Sequence, residues 1–498
     1  MKNLFEMYLL IRKKFIPLSV YQWINHQIQP YMIKKITSCL AIVSCLVMVF
    51  CTSCTKADDP WKEMDNVLKR IVPPTFADKD YVITDYYNGT DTLYTAAIHS
   101  AIKECSENGG GRVVIPSGIW KTAPIRLQSN VNLHFEDGAT LLFSDDVNLF
   151  DIVHTHWEGI ECYNVQPLIY AENCENIAIT GKGIIDGQAG RENWFGPLTR
   201  GYMGDNGRFV NGRNILYEWL ANETPVSERH LTRELPARPQ TINFMDCKNI
   251  LLEDITIHRS PFWDIHPVFC TNVTLRRVTM DSHMGNNDGC DPESCTDMLF
   301  DSCVFDTGDD CIAIKSGRDA DGRRWNIPSS NIIVRNCTMR DGHAGVAIGS
   351  EISGGFKNLW VENCEMNSPH LQRIIRIKSN PQRGGTVQNV NARNITVGEC
   401  DLAILGIELR YGRTSEGPYP LDFRDITIEN VTSQKSRYVV HVDGTDDAVG
   451  VHNITFRNCD INGVTEPELS HIVGAENVVF TGVKVNGEPY TWAPASEK

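Results

Sequence analysis

The sequence has no heptad repeat, no apolar run long enough to cross a bilayer, and no Cys-x-x-Cys pair after residue 54. The first absence removes coiled coils and long helical bundles. The second removes a spanning helix, which needs roughly 20 apolar residues. The third makes metal ligation by the remaining cysteines a poor reading. Basic residues are also in deficit, with 47 Lys and Arg against 62 Asp and Glu and a formal charge of −15. Residues 1–53 hold six Lys or Arg against Glu6, so the rest of the chain carries about −20 by difference. Nucleic acid needs a basic footprint and is excluded as a partner. Of 17 cysteines, 13 remain after Cys39, Cys45, Cys51 and Cys54, and an odd number is no complete disulfide framework.

What is present begins with Lys34 and Lys35, the apolar stretch Cys39 to Phe50, and then Thr52, Ser53 and Cys54. This is the layout of a secretory signal ending in a cysteine. It predicts a lipoprotein signal over 32–53, Cys54 as the lipidated residue, and 1–31 as a non-native upstream extension before the initiator Met32. A tether follows over 54–74, and 75–498 forms a single domain with an insertion at 190–239.

The main organising signal is a repeat in which Asn or Asp leads into alternating apolar and polar residues. Copies begin at Asn249, Asn272, Asn331, Asn358, Asp425, Asn453 and Asn477, spaced about 23 to 36 residues apart where consecutive, the length of one solenoid coil. Each copy offers strands with one apolar face, which only stacking can bury. Asn at the turn tolerates left-handed backbone. The recurrent cysteines Cys174, Cys247, Cys303, Cys337, Cys364 and Cys459 read as small inward-facing core residues. Ala97, Ile98, Ala101, Ile102 and Cys105 have helical spacing and predict a short helix capping the open end of the column. The fold class is therefore all-β, a right-handed parallel β-helix with an N-terminal capping helix. Between Gly190 and Pro239 the repeat lapses into charge and aromatics such as Trp194, Phe195, Tyr217 and Trp219, either a packed lateral insertion or a wall closing one end of a cleft.

Asp288 lies in Asn286-Asn287-Asp288-Gly289-Cys290-Asp291, and Asp309-Asp310 follow Thr307-Gly308 about one coil later. Stacking then brings Asp288 beside the pair, provided Gly308 permits a bend; otherwise one of the two is buried. Next come Gly342-His343-Ala344 and Arg376-Ile377-Lys378. Arg376 and Lys378 share a strand face and supply local positive charge suited to a sugar carboxylate. Asp288 and Asp291 read alone as turn formers, and His343 alone as structural; only the series lifts them. Trp263 and His266 are either cleft residues or core and cap.

These segments resemble the polygalacturonase family of glycoside hydrolases, whose four stretches read Asn-Thr-Asp, Gly-x-Asp-Asp, Gly-His-Gly and Arg-Ile-Lys in that order. Asn287 and Ala344 depart from the usual Thr and Gly. The resemblance implies inverting, single-displacement hydrolysis of α-1,4-linked galacturonic acid in pectin. Asp309 would be the general acid, Asp288 and Asp310 would activate water, and His343 would support the acid. Arg376, Lys378, Asn286, Tyr411 and His266 form the expected substrate-binding set, with no cofactor and no metal. The acid should sit farther from the base carboxylates than in a retaining pair, with its pKa raised by crowding. The insertion leans the expectation towards chain-end attack. The expected partners are pectic galacturonan and, through the lipid, the outer membrane of a Gram-negative bacterium at its surface or periplasmic face, the protein acting as a monomer. Hydrolysis of rhamnogalacturonan or substituted galacturonan is the alternative. A calcium-dependent pectate lyase is weaker, since no Asp/Glu calcium cage is evident beyond the three aspartates, and so is a non-catalytic glycan-binding rod, which has no need for stacked aspartates opposite Arg and Lys.

Overall fold

The computed structural model describes residues 59–492 apart from 205–206, 445–448 and 468–470. Residues 1–31, the signal over 32–53 and Cys54 lie outside the described residues. From Pro60 onward the chain is one compact unit.

Two ladders of thirteen strands each form two faces of a β-helix, parallel throughout except that the last strand of the second, Glu488–Pro489, pairs antiparallel. The third face is split into a four-stranded ladder (Ile125–Arg126, Ile169–Glu172, Ile242–Met245, Ile265–Val268) and a five-stranded one (Ile312–Ile314, Ala344–Gly349, Arg373–Lys378, Ala403–Glu408, Tyr438–Asp443). Between them the coil carrying Asp288 contributes only isolated bridges, Ile265 to Cys290 to Ile312 and Val268 to Glu293 to Lys315. Asp288 therefore lies in a coil where this ladder loses its regular strand, and Asp309 and Asp310 lie in the next coil, just before the strand Ile312–Ile314.

Every predicted turn residue, Asn249, Asn272, Asn331, Asn358, Asp425, Asn453 and Asn477, has φ between 54° and 66°. Their side chains bond from coil to coil, Asn272 to Asn249 at 2.8 Å, Asn358 to Asn331 at 2.8 Å and Asn389 to Asn358 at 2.9 Å. Asn358→Ala removes two such bonds and the polar side chain that makes left-handed backbone tolerable there, so it is expected to cost about 1–3 kcal/mol, read as a lowered denaturant midpoint. Asn358→Gly should recover part of the loss.

The thirteen described cysteines are free and buried. Cys303, Cys337, Cys364 and Cys459 occupy the coil position that Ile255, Val278, Ile395 and Val431 fill elsewhere in the same core. The residue two before each keeps register with alternating charge, giving the pairs Arg276–Glu253, Arg335–Asp301 and Arg393–Glu362 at 2.5–2.7 Å. The helix Thr95–Glu107 buries the five predicted residues. At the other end of the rod, the last coil strand, Ala475–Thr481, contains no buried residue.

Two elements depart from expectation. The predicted tether is not a linker beyond residue 59, because the helix Pro60–Leu68 packs Trp61, Met64 and Val67 onto Leu299, Ile333 and Trp360. The other is a hairpin, Ile152–Trp157 paired with Ile160–Val165, which the sequence reading did not foresee. It roofs the four-stranded part of the third face: Thr155 Oγ1 donates to Asn243 Oδ1 at 3.0 Å, and Gln240 Nε2 donates to the His156 carbonyl at 2.8 Å.

Candidate active site

The expected stacking of motifs is present bond by bond. Asp309 N donates to the Asn287 carbonyl at 3.2 Å, Gly289 N to the Asp310 carbonyl at 3.1 Å, and His343 N to the Asp309 carbonyl at 2.9 Å. Gln372 N then donates to the His343 carbonyl at 2.9 Å, which brings in the strand Arg373–Lys378. One oxygen each of Asp288, Asp309 and Asp310 lies within 4.8 Å of the others.

Asp309 and Asp310 lie in the bend after the strand Val304–Thr307, not on a strand. Gly308 makes that bend possible, because a β-carbon there would sit 2.4 Å from the Met284 carbonyl oxygen. The two side chains consequently diverge. Asp309 is 22% exposed and accepts a bond from His343 Nδ1 at 3.0 Å, whereas Asp310 is 0% exposed and meets Lys378 Nζ at 2.6 Å. Arg376 Nη1 lies 3.8 Å from the same Asp310 carboxylate, and its other nitrogens pair with Glu408. Ile377 points into the core. Asp288 is also buried, and neither its Oδ1 nor Asp310 Oδ1 has a hydrogen-bond partner among the described residues.

Electrostatics separate Asp288 from Asp309 in the sense opposite to expectation. Burial, then the neighbouring Asp291 and Asp309, push the Asp288 carboxyl well above the usual carboxylate range. Burial also acts to raise Asp309, but the His343 hydrogen bond and the Lys378 charge outweigh it and hold Asp309 at about 2. His343 is raised by the same bond to Asp309. In the free site the elevated carboxyl is thus Asp288, not the expected acid Asp309. The 4.8 Å clustering also corrects the expectation that the acid stands well apart.

A hollow of about 210 Å³ opens over Asp288 and Asp309, lined also by Asn286, Lys378 and Tyr411. Asn286 is steered by Arg238, whose Nη2 donates to its Oδ1 at 2.7 Å. The Tyr411 ring stands 5.4 Å from Lys378 Nζ and 5.9 Å from the Arg376 guanidinium. His266 is a correction. It is 0% exposed and bonds Glu293 at 3.1 Å under the hairpin roof, so it cannot touch a substrate. Trp263 does line the hollow. Asn287 is a buried clamp, donating to the Ser260 and Phe262 carbonyls and accepting from Met284 N. Ala344 packs against Ala313 and Ala347.

Several lining residues were not foreseen: Glu158 from the hairpin, Lys315 from the ladder position after Ile312–Ile314, and Arg318, Glu351 and Arg383 from turns between coils. Arg213 and Tyr217 come from the helix Gly212–Ala221 within the insertion, so that segment does wall the hollow, while its Trp194 enters the core. The lining holds five cations (Arg213, Lys315, Arg318, Lys378, Arg383) against four acids (Glu158, Asp288, Asp309, Glu351), one of them the elevated Asp288. An acidic chain has placed net positive charge where an anionic polymer would sit. Two clusters offer metal-type donors, the aspartate trio and Asp281, His283 and Asp306. The charge of the first is met by Lys378 and Arg376, and in the second His283 Nε2 lies 2.9 Å from Asp306.

A family model described as glycosyl hydrolases family 28 matches residues 105–481. The chain belongs to glycosyl hydrolase family 28. This family 28 enzyme is similar to an exopolygalacturonase from Thermotoga maritima, with 35% identity, a TM-score of 0.76, and coverage of 85% of this chain and 96% of that one. It is 29% identical to a probable polygalacturonase of Vitis vinifera over 68% of this chain and 66% of that protein. It is 25% identical to an exo-poly-alpha-D-galacturonosidase of Dickeya chrysanthemi over 80% of this chain and 70% of that protein.

Proposed function

We propose that this family 28 hydrolase cleaves α-1,4 bonds of pectic galacturonan from a chain end, by single displacement with inversion. The observation that carries the reading is the convergence of Asp288, Asp309 and Asp310 with His343, Arg376 and Lys378 beside a hollow walled at one end. Asp309, the exposed member, protonates the leaving oxygen. Asp310 Oδ1, which has no hydrogen-bond partner among the described residues, accepts the one proton that the attacking water loses, and the Asp288 carboxyl, raised by its burial, orients that water by a hydrogen bond. Lys378, Arg376 and the Tyr411 ring receive a uronate carboxylate and the sugar face.

End attack is supported by the hairpin and insertion, which block extension of a chain past Glu158, Arg213 and Tyr217. Chromatography of early products from polygalacturonate tests it: short products of one size support the reading, and a broad ladder of oligomers sinks it. Inversion has a rival, because carboxylates this close resemble the ~5–5.5 Å spacing of retaining pairs more than the ~6.5–9.5 Å of inverting ones. Proton NMR of the first product decides between them, with β-anomer expected and α-anomer overturning inversion.

The acid couple sets the pH dependence. His343 is raised and Asp309 lowered, so between those values the couple holds one proton, stored on His343. As pH rises through the raised His343 value that proton is lost, and kcat/KM is expected to fall there. His343→Gln should move this alkaline limb to lower pH, and an unmoved limb would detach His343 from the acid.

Export with a lipid on Cys54, tethering the enzyme to the outer membrane, is proposed on the Met32–Cys54 layout. Cys54→Ala should release it from the membrane fraction, and a variant that stays bound would disprove the anchor.

A further inference from the structure

The closed end of the hollow is built from three separate segments, and Glu158 joins them. Glu158 and Gly159 form the two-residue tip of the hairpin, with φ of 46° and 75°. A tip with both residues left-handed favours Asn, Asp or Gly first, so a glutamate there is strained backbone kept by its surroundings. Gly159 is required by close approach, since a β-carbon would lie 2.7 Å from Arg318 N, which donates to the Gly159 carbonyl at 2.8 Å. The Glu158 side chain, 6% exposed, accepts from Arg318 Nη2 at 2.8 Å and from the Tyr217 hydroxyl, and pairs with Arg213 Nη2 at 3.2 Å. Arg318 also meets Glu351 at 2.7 Å, and both guanidinia lie near the Tyr217 ring, at 4.6 Å and 5.3 Å.

The two arginines are held but not used up. Nη1 of Arg213 and Nη1 of Arg318 make no hydrogen bond among the described residues, and both residues line the hollow with Asp309. Arg383, 10% exposed on its side chain, adds a third guanidinium whose buried Nη1 has no hydrogen-bond partner and stands 3.4 Å from Glu351. Two planar forks, both held by Glu158 and each with an Nη1 left without a hydrogen bond, suit a further carboxylate. At about 210 Å³ the space is small beside the ~300–1,000 Å³ of ordinary ligand pockets and suits a single sugar residue.

We propose that Arg213 and Arg318, locked by Glu158, form a subsite that reads the carboxylate of the terminal uronate of the chain, with Glu158 as its positioning residue. The enzyme then distinguishes a free acid end from an esterified or neutral one. The proposal rests on the galacturonan reading above, and the test separates the two.

The test compares kcat/KM on trigalacturonate with that on its two mono-methyl esters, one masked at each terminal residue. Masking the carboxylate that enters the closed end should lower kcat/KM at least about tenfold, the scale of one charge-assisted pair. Arg213→Gln should narrow that ratio, and not the other, to near one. Arg213→Lys should restore part of it, and Glu158→Gln should narrow it as Arg213→Gln does. If neither ester's ratio responds to Arg213→Gln, the subsite is overturned while galacturonan hydrolysis stands. If the wild type cleaves other pectic polymers but not trigalacturonate, the galacturonan reading falls and takes the subsite with it. Calorimetry of galacturonate against galactose on Asp309→Asn gives a readout free of turnover, and equal binding of the two sugars also overturns the proposal.

Discussion

Asp309→Asn is expected to lower kcat on polygalacturonate by about 10²–10⁴-fold, the range for losing a positioned general acid. The amide keeps the carboxylate's shape, and the residue is 22% exposed with His343, among the described residues, as the one other side chain hydrogen-bonded to it. Stability should therefore fall by no more than about 1–3 kcal/mol, the scale of the one charge-assisted bond lost to His343. That pairing of effects is diagnostic. A variant that unfolds easily would show that Asp309 is structural, and one that keeps more than a tenth of the activity would remove it from the chemistry. Reducing-end assays beside a denaturant curve read both.

Lys378→Met should act in the opposite proportion, unfolding the protein as well as silencing it. Asp310 is 0% exposed, and Lys378 Nζ at 2.6 Å is its closest counter-charge, Arg376 standing at 3.8 Å and already committed to Glu408. Removing one partner of a buried pair strands the other in low dielectric, at a cost of about 3–5 kcal/mol. The same change removes one of the charges that hold the Asp309 carboxyl down, so that carboxyl should titrate at higher pH. Lys378→Met with Asp310→Asn should recover much of the stability and none of the activity. Additive losses in the double variant would mean that the two residues do not form the coupled pair seen here.

Both effects depend on features that the sequence shows unevenly. The coil repeat was legible because each rung must solve the same problem, a turn in left-handed backbone followed by a strand with one buried face, and Asn and alternation are the visible solutions. Asp288, Asp309, His343, Arg376 and Lys378 were legible because ladder register turns sequence spacing into contact. Glu158, Arg318 and Glu351 were not, since they sit in turns whose geometry follows no period and whose partners are up to 160 residues away. His266 misled for a related reason. Its strand would be half exposed in a bare solenoid, and only the hairpin, an irregular excursion of the chain, seals its outer side. The helix at Pro60–Leu68 was missed because a nine-residue amphipathic segment beside a polar stretch is indistinguishable from a linker until its docking surface is known.

The rod's two ends are unequal, with the helix Thr95–Glu107 plugging one and the half-wet strand Ala475–Thr481 finishing the other. Because each rung leans only on its neighbours, heat should peel the molecule from its carboxyl-terminal tip inward. Amide exchange would show that as a gradient in protection along the axis. The rungs beginning at Gly385, Leu421 and Val451 stand between that tip and the strand carrying Arg376 and Lys378, a sacrificial margin that lets the catalytic centre outlast the fraying of that end.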